Sequence, residues 1–205
     1  MAVYDVSGTQ EDCYPNTTVL INRFDIRNQK QLSLVEQKLV TGLAAQLEQE
    51  VSFENVDFAF YKGLHKALFG DLYDWAGTVR KITVSKKGTV FCRAEAIEQV
   101  ATARFSRLKQ QNYLNELDDE TFIGELTELY DDLNMLHPFR EGNGRTLRLF
   151  ITLLVRNTGR EIFFDRCDAD LLTIATIQAA QGSKELLQKV FSEIVEDTAD
   201  SKIDN

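Results

Sequence analysis

Cysteine is scarce in this chain. Cys13, Cys92 and Cys167 are all there is, an odd set, widely separated, with no metal-type spacing. They fit a structural role in a reducing compartment, and a cytoplasmic location is the expectation. No apolar run approaches membrane-spanning length. The first residues carry Asp5, Glu11 and Asp12 and no apolar core, so no secretory signal is expected. Basic charge is also short: 23 Lys and Arg stand against 32 Asp and Glu, giving a net charge of −9. That balance disfavours nucleic acid and membrane surfaces as partners, because both are anionic. Internal repeats and low-complexity stretches are missing too. What remains is 205 residues with 43% hydrophobic and 27% charged content. The length suits one domain spanning residues 1–205, with polar tails at 1–12 and 198–205 expected to be disordered.

Helical periodicity dominates the rest. Leu32, Val35, Leu39, Leu43 and Leu47 repeat at three-four spacing, and a helix is expected from Leu32 to about Glu50. A second runs from about Val56 to Phe69 and carries His65 beside Leu64 and Leu68, where a core or surface histidine is the plain reading. Leu72 to Gly77 reads as a short helix ended by glycine, with Trp75 in the core. Ile97, Val100, Ala101, Phe105 and Leu108 mark a helix from about Ala94 to Gln111. Phe122, Leu126, Leu129, Leu133 and Leu136 mark another, capped by Asp118 or Asp119. Leu147, Phe150, Ile151 and Leu154 begin the next, which Asn157-Thr158-Gly159 stops. Two more are expected over Asp168–Ala180 and from Ser183 to about Glu196. The fold class is therefore all-α.

One stretch alternates like a strand pair. Val79, Lys81 and Thr83 interleave with Arg80, Ile82 and Val84, then Ser85-Lys86-Lys87-Gly88 signals a turn and Thr89-Val90-Phe91 returns. A hairpin over 79–91 is expected, with edges open to an extended peptide. From these residues alone, a surface decoration is the favoured reading.

Between the fifth and sixth helical patterns lies His137-Pro138-Phe139-Arg140-Glu141-Gly142-Asn143-Gly144-Arg145-Thr146-Leu147-Arg148. Pro138 disfavours helical backbone at His137, so the leucine helix stops there. Gly142-Asn143-Gly144 opens the next helix, where unpaired N–H groups and the helix dipole attract anions. Glycines there allow close approach of a phosphate. Arg145 and Arg148 share one face of the first turns, an odd place for cations unless a polyphosphate comes in. Glu141 then suits a Mg²⁺ ion, which binds one or two carboxylates plus phosphate oxygens. His137 is placed to take a proton from an attacking hydroxyl. Taken singly, each residue also has a plain reading: a capping ring, a turn, a solvated face, an N-terminal acid.

The run resembles the Fic family motif H-x-F-x-[D/E]-G-N-G-R-x-x-R at every specified position, and the likeness extends from about Tyr14 to the last helix. The resemblance implies a Fic-type helical bundle that moves AMP from ATP to a Ser, Thr or Tyr hydroxyl of a target protein. It implies His137 as general base, Phe139 as core anchor and Glu141 as the Mg²⁺ ligand. It implies Gly142, Asn143 and Gly144 as the anion hole, with Arg145 and Arg148 on the β- and γ-phosphates. The related Doc kinases carry Lys where this chain has Gly144, which argues against phosphate transfer. The hairpin is similar to the Fic flap, so Ile82, Val84, Lys86, Lys87 and Gly88 are expected to position the target. Many members are restrained by a helix bearing [S/T]-x-x-x-E-[G/N]. Here Ser192 and Glu196 have the spacing, with Asp197 at the last position. A separate small antitoxin chain is the favoured source of restraint, in a bacterial toxin setting. The alternatives are another nucleotide, removal of AMP, or a nucleotide-binding adaptor without catalysis.

Overall fold

The computed structural model of the chain describes residues 5–6, 12–86 and 88–198. A short strand, β1 (Asp5–Val6), precedes α1 (Gln29–Glu50) and α2 (Phe58–Phe69). Strands β2 (Val84–Lys86) and β3 (Thr89–Val90) follow, then α3 (Ile97–Gln110), α4 (Asp119–Leu136) and α5 (Asn143–Asn157). The chain continues through β4 (Arg160–Ile162), α6 (Ala169–Ala180), α7 (Glu185–Ile194) and β5 (Val195–Asp197). The described residues are thus mainly helical, as the periodicity predicts, and no helix among them is long and apolar enough to cross a membrane.

The core is built around α5. Every residue from Leu149 to Val155 is buried, the pattern of a helix with neighbours on all sides. It packs on α1, α2 and α4, while α6 and α7 pack together and α7 closes on α4. Asn28, Asp57, Asp118 and Asp168 each accept a backbone N–H from the first turn of the following helix. Such side-chain caps satisfy donors that the helix itself cannot.

Three expectations need correction. The first concerns the hairpin, which is much shorter than its alternation suggests: β2 starts at Val84, not Val79. Arg80 is the reason. Its backbone N–H donates to Pro138 O at 2.9 Å, and its buried guanidinium donates to the carbonyls of His137, Ile82 and Cys92. Those bonds tie residues 80–82 to the loop after α4 instead of to a ladder. The outer edge of β2 is also not open: Asp5 pairs with Ser85 and Val6 with Val84, making a three-stranded sheet ordered β1-β2-β3. Most of the expected N-terminal and C-terminal tails lie outside the described residues.

The second correction is that Leu72 to Gly77 is a run of tight turns, not a helix. Leu72 and Tyr73 both donate to Phe69 O, and Gly77 takes a φ of 81°. The third is that the last helix ends at Ile194. Residues 195–197 leave it as β5, antiparallel to β4, with Glu161 opposite Glu196. Three residues are too few for a strand to show its period of two in sequence.

Candidate active site

Helix α4 ends at Leu136, and His137 caps it in the left-handed region, φ 43° and ψ 58°. The stop before Pro138 is as expected, but its geometry is a left-handed cap and not the extended one that a following proline favours. The cap turns the imidazole back, so that Nδ1 lies 3.0 Å from Asn134 O. A carbonyl only accepts, so Nδ1 carries the proton and Nε2 is the basic nitrogen. The ring stacks on Phe91, with centroids 3.7 Å apart. Burial pushes its pKa down to about 3, with Lys86 and Arg80 adding to the effect. The imidazole is therefore neutral at pH 7.

Phe139 is fully buried, stacked between His65 and Tyr61. Asn143 closes the loop: its amide accepts from Phe139 N–H and donates to Phe139 O, both at 2.8 Å. Glu141 is 6% exposed and accepts the Gly142 N–H at 2.9 Å. Burial holds its carboxyl above the ordinary carboxylate range.

Two glycines sit here for different reasons. Gly142 takes φ 82°, and a Cβ on it would meet the Phe69 ring at 2.5 Å. The fold itself demands glycine there. Gly144 is exposed and helical, and a Cβ on it would meet only Arg148 Nη1 at 3.7 Å. Nothing in the protein requires glycine at 144, although glycine weakens a helix. The open surface at the start of α5 fits the close approach of something else.

His137, Glu141, Gly142, Gly144, Arg145 and Arg148 line one cleft of about 640 Å³. Ser33, Glu36 and Gln37 of α1 form one wall. Phe164, Cys167, Leu172 and Thr173, at and before α6, form the other. Lys86 of the flap reaches the same cleft, while Val84 is buried and Gly88 sits at the exposed turn. Ile82 lies outside the strand, and Lys87 lies outside the described residues. A larger concavity of about 900 Å³ between α4, α7 and β5 holds none of the motif residues.

Ser192 and Glu196 do not come to the cleft. Ser192 donates to Lys189 O on α7, and Glu196 pairs with Arg166. Both line the other concavity, so a Glu196–Arg148 pair is not formed.

Three supporting residues escaped the sequence reading. His65 is not a passive core ring: Gly77 N–H donates to its Nδ1 at 2.8 Å, and its Nε2 lies 2.9 Å from Glu141 O. It holds the backbone of the acidic residue, and burial lowers its pKa to about 4. Arg80 clamps the flap to the His137 carbonyl at 2.7 Å. Glu36 bonds Arg145 at 2.5 Å. The signal for Glu36 was present, because Leu32, Glu36 and Val40 form the buried stripe of α1 with a carboxylate in the middle.

Comparison with known proteins points to one family. The Fic/DOC family model matches residues 55–155. The chain is 35% identical over 171 residues to y4lH of Sinorhizobium fredii, named a probable protein adenylyltransferase, covering 83% of this chain and 88% of that one. It is 34% identical over 191 residues to the protein adenylyltransferase VbhT of Bartonella schoenbuchensis, and it spans 40% of the length of that protein. The solved structure of BepC from Bartonella tribocorum, with AMPPNP bound, matches with a TM-score of 0.86 at 26% identity. That match covers 92% of this chain and 98% of the other.

Proposed function

Since the chain belongs to the Fic/DOC family, we propose that it is a protein adenylyltransferase moving AMP from ATP to a Ser, Thr or Tyr hydroxyl of a target protein. The observation that carries this reading is the convergence of His137, Glu141 and both motif arginines on one cleft at the start of α5. The relatives' names and the nucleotide held by BepC support it.

In this reading the triphosphate lies across the first turn of α5. The leading N–H groups, at 143–145, have no acceptor within the helix and face an anion favourably. Arg145 and Arg148 bind the β- and γ-phosphates. His137 Nε2 takes the proton of the target hydroxyl, whose oxygen attacks the α-phosphorus as the bond to the β-phosphate oxygen breaks. The imidazole is neutral beforehand, and the incoming phosphates raise its basicity by favouring the imidazolium. Pyrophosphate leaves on the arginines and the helix start. Positioning and charge stabilisation carry most of such a transfer.

A Mg²⁺ ion fits the donors present: Glu141 is a buried carboxylate at a phosphate site, its pKa raised by burial, and a divalent cation beside it would favour the ionised form. When bound, the ion would neutralise charge on the bridging phosphate oxygens. The flap, through Lys86 and through β3 at the edge of its sheet, would align the target segment beside His137. With Glu196 committed to Arg166, restraint by a separate small antitoxin chain is the better reading than an internal brake. A cytoplasmic setting, which supplies ATP and keeps thiols reduced, fits the free cysteines.

The test uses ATP labelled at the α- or the γ-phosphate, incubated with purified chain and a bacterial lysate. Label is expected on protein from α only. His137→Ala should lose it by ~10²–10⁴-fold while still binding nucleotide. Transfer from the γ-position would replace this reading with a kinase, and unchanged labelling by His137→Ala would remove the base.

A further inference from the structure

Glu36 belongs to no recognised motif and lies 109 residues before Arg145, yet its carboxylate sits against the site. Its side chain is 3% exposed, against 28% for Arg145. A carboxylate so buried requires partners, and it has two. Tyr73 O–H donates to Oε2, and Arg145 Nη2 donates to Oε1 at 2.5 Å. The same Nη2 is 3.6 Å from Glu141, one helical turn away on its own segment. Arg145 also lies over the Phe69 ring, 4.8 Å from its centroid.

The guanidinium thus stands between two glutamates, and all three residues line the cleft. Were Glu36 absent, Glu141 would be the nearest carboxylate. Arg145, already in a longer ion pair with it at 3.6 Å, would then close to hydrogen-bond distance. That move would take the cation away from a phosphate and occupy the carboxylate best placed for a divalent ion. A pair that merely fastened α1 to α5 would need neither a cation facing the cleft nor a second acid in reach, and buried ion pairs are weak as fasteners in any case.

We propose that Glu36, oriented by Tyr73, is a positioning residue that fixes Arg145 for the β-phosphate of the nucleotide and keeps its longer pair with Glu141 from closing. The proposal rests on the reading of the cleft as an ATP site.

Calorimetric titration of AMP, ADP and AMPPNP, each with magnesium chloride, tests it. All three ligands share adenosine and the α-phosphate, and only ADP and AMPPNP carry a β-phosphate. Glu36→Gln keeps the size and removes the charge. It is expected to weaken ADP and AMPPNP by ~10–100-fold, the range for a charged hydrogen bond, and to leave AMP within about twofold. Tyr73→Phe should show the same pattern at smaller size, and serves if Glu36→Gln does not fold. In an Arg145→Ala background the Glu36→Gln change should have no further effect, since both act through one group.

Equal weakening of all three ligands would mean a distorted pocket and would overturn the proposal. So would variants that bind all three as the parent does. A parent chain that binds none of them would overturn the nucleotide reading and this inference together. A parent that binds while the variants show no β-phosphate dependence would overturn this inference alone.

Discussion

His137 occupies a backbone angle, φ 43°, that non-glycine residues adopt at a cost of about 1–2 kcal/mol. Among variants lacking the imidazole, His137→Gly should therefore be more stable than His137→Ala. The gap is expected at roughly 0.5–1 kcal/mol once the greater freedom of unfolded glycine is subtracted. Urea midpoints of the two variants measure it, and an alanine variant at least as stable as the glycine one would refute it. Gly144 is the converse case. Gly144→Ala should leave stability unchanged or raise it by up to about 1 kcal/mol, because the added methyl meets only Arg148 Nη1. Nucleotide affinity should nevertheless fall, and if it does not, the glycine has no ligand to make room for. His65 supplies a pH dependence. Its folded pKa, about 4, lies below the unfolded value of 6.5, so between those values the unfolded chain binds the proton and the folded chain does not. Its contribution to stability is whole above pH 6.5 and is lost as the pH falls towards 4. In metal-free protein, His65→Gln should flatten the stability–pH curve across that interval.

Elements differ in how plainly the sequence announces them. The long helices are legible because an apolar stripe repeated over four or five turns is hard to produce otherwise, and α1, α3, α4 and α5 fall close to where their stripes put them. Strands of two or three residues carry no such repetition, which is why β1 and β5 were not legible. Alternation at Val79–Val84 resembles a ladder, but the β2–β3 hairpin is shorter because Arg80 ties those residues to the loop after α4. The active-site run was legible because its chemistry is contiguous. Glu36, Arg80 and His65 support it from distant segments, and only the folded chain brings them there. Arg80→Lys keeps a charge but cannot reach three carbonyls in one plane. It should reduce transfer to a protein target by more than it reduces binding of an ATP analogue, since it frees the flap and not the phosphate site. Equal loss of both would show that the clamp serves the whole cleft.

At the scale of the molecule, ligand binding and folding are one equilibrium. A nucleotide that binds only the folded chain stabilises it by about 2.7 kcal/mol at a hundred times its dissociation constant. For a chain of this length that corresponds to a rise in melting temperature of roughly 5–11 °C. AMPPNP with magnesium should produce such a rise, inorganic phosphate much less, and no shift with AMPPNP would count against the cleft. The molecule also carries an excess of nine negative charges, so the arginines at the helix start must draw a polyanion through an opposing field. Glu36 leaves the ribosome 109 residues ahead of Arg145, an interval of about 5–20 s at ordinary rates of synthesis. Until the second half of the chain emerges, the acid on the first long helix has no cation to meet. A polypeptide released before residue 145 would lack the guanidinium that this buried glutamate pairs with.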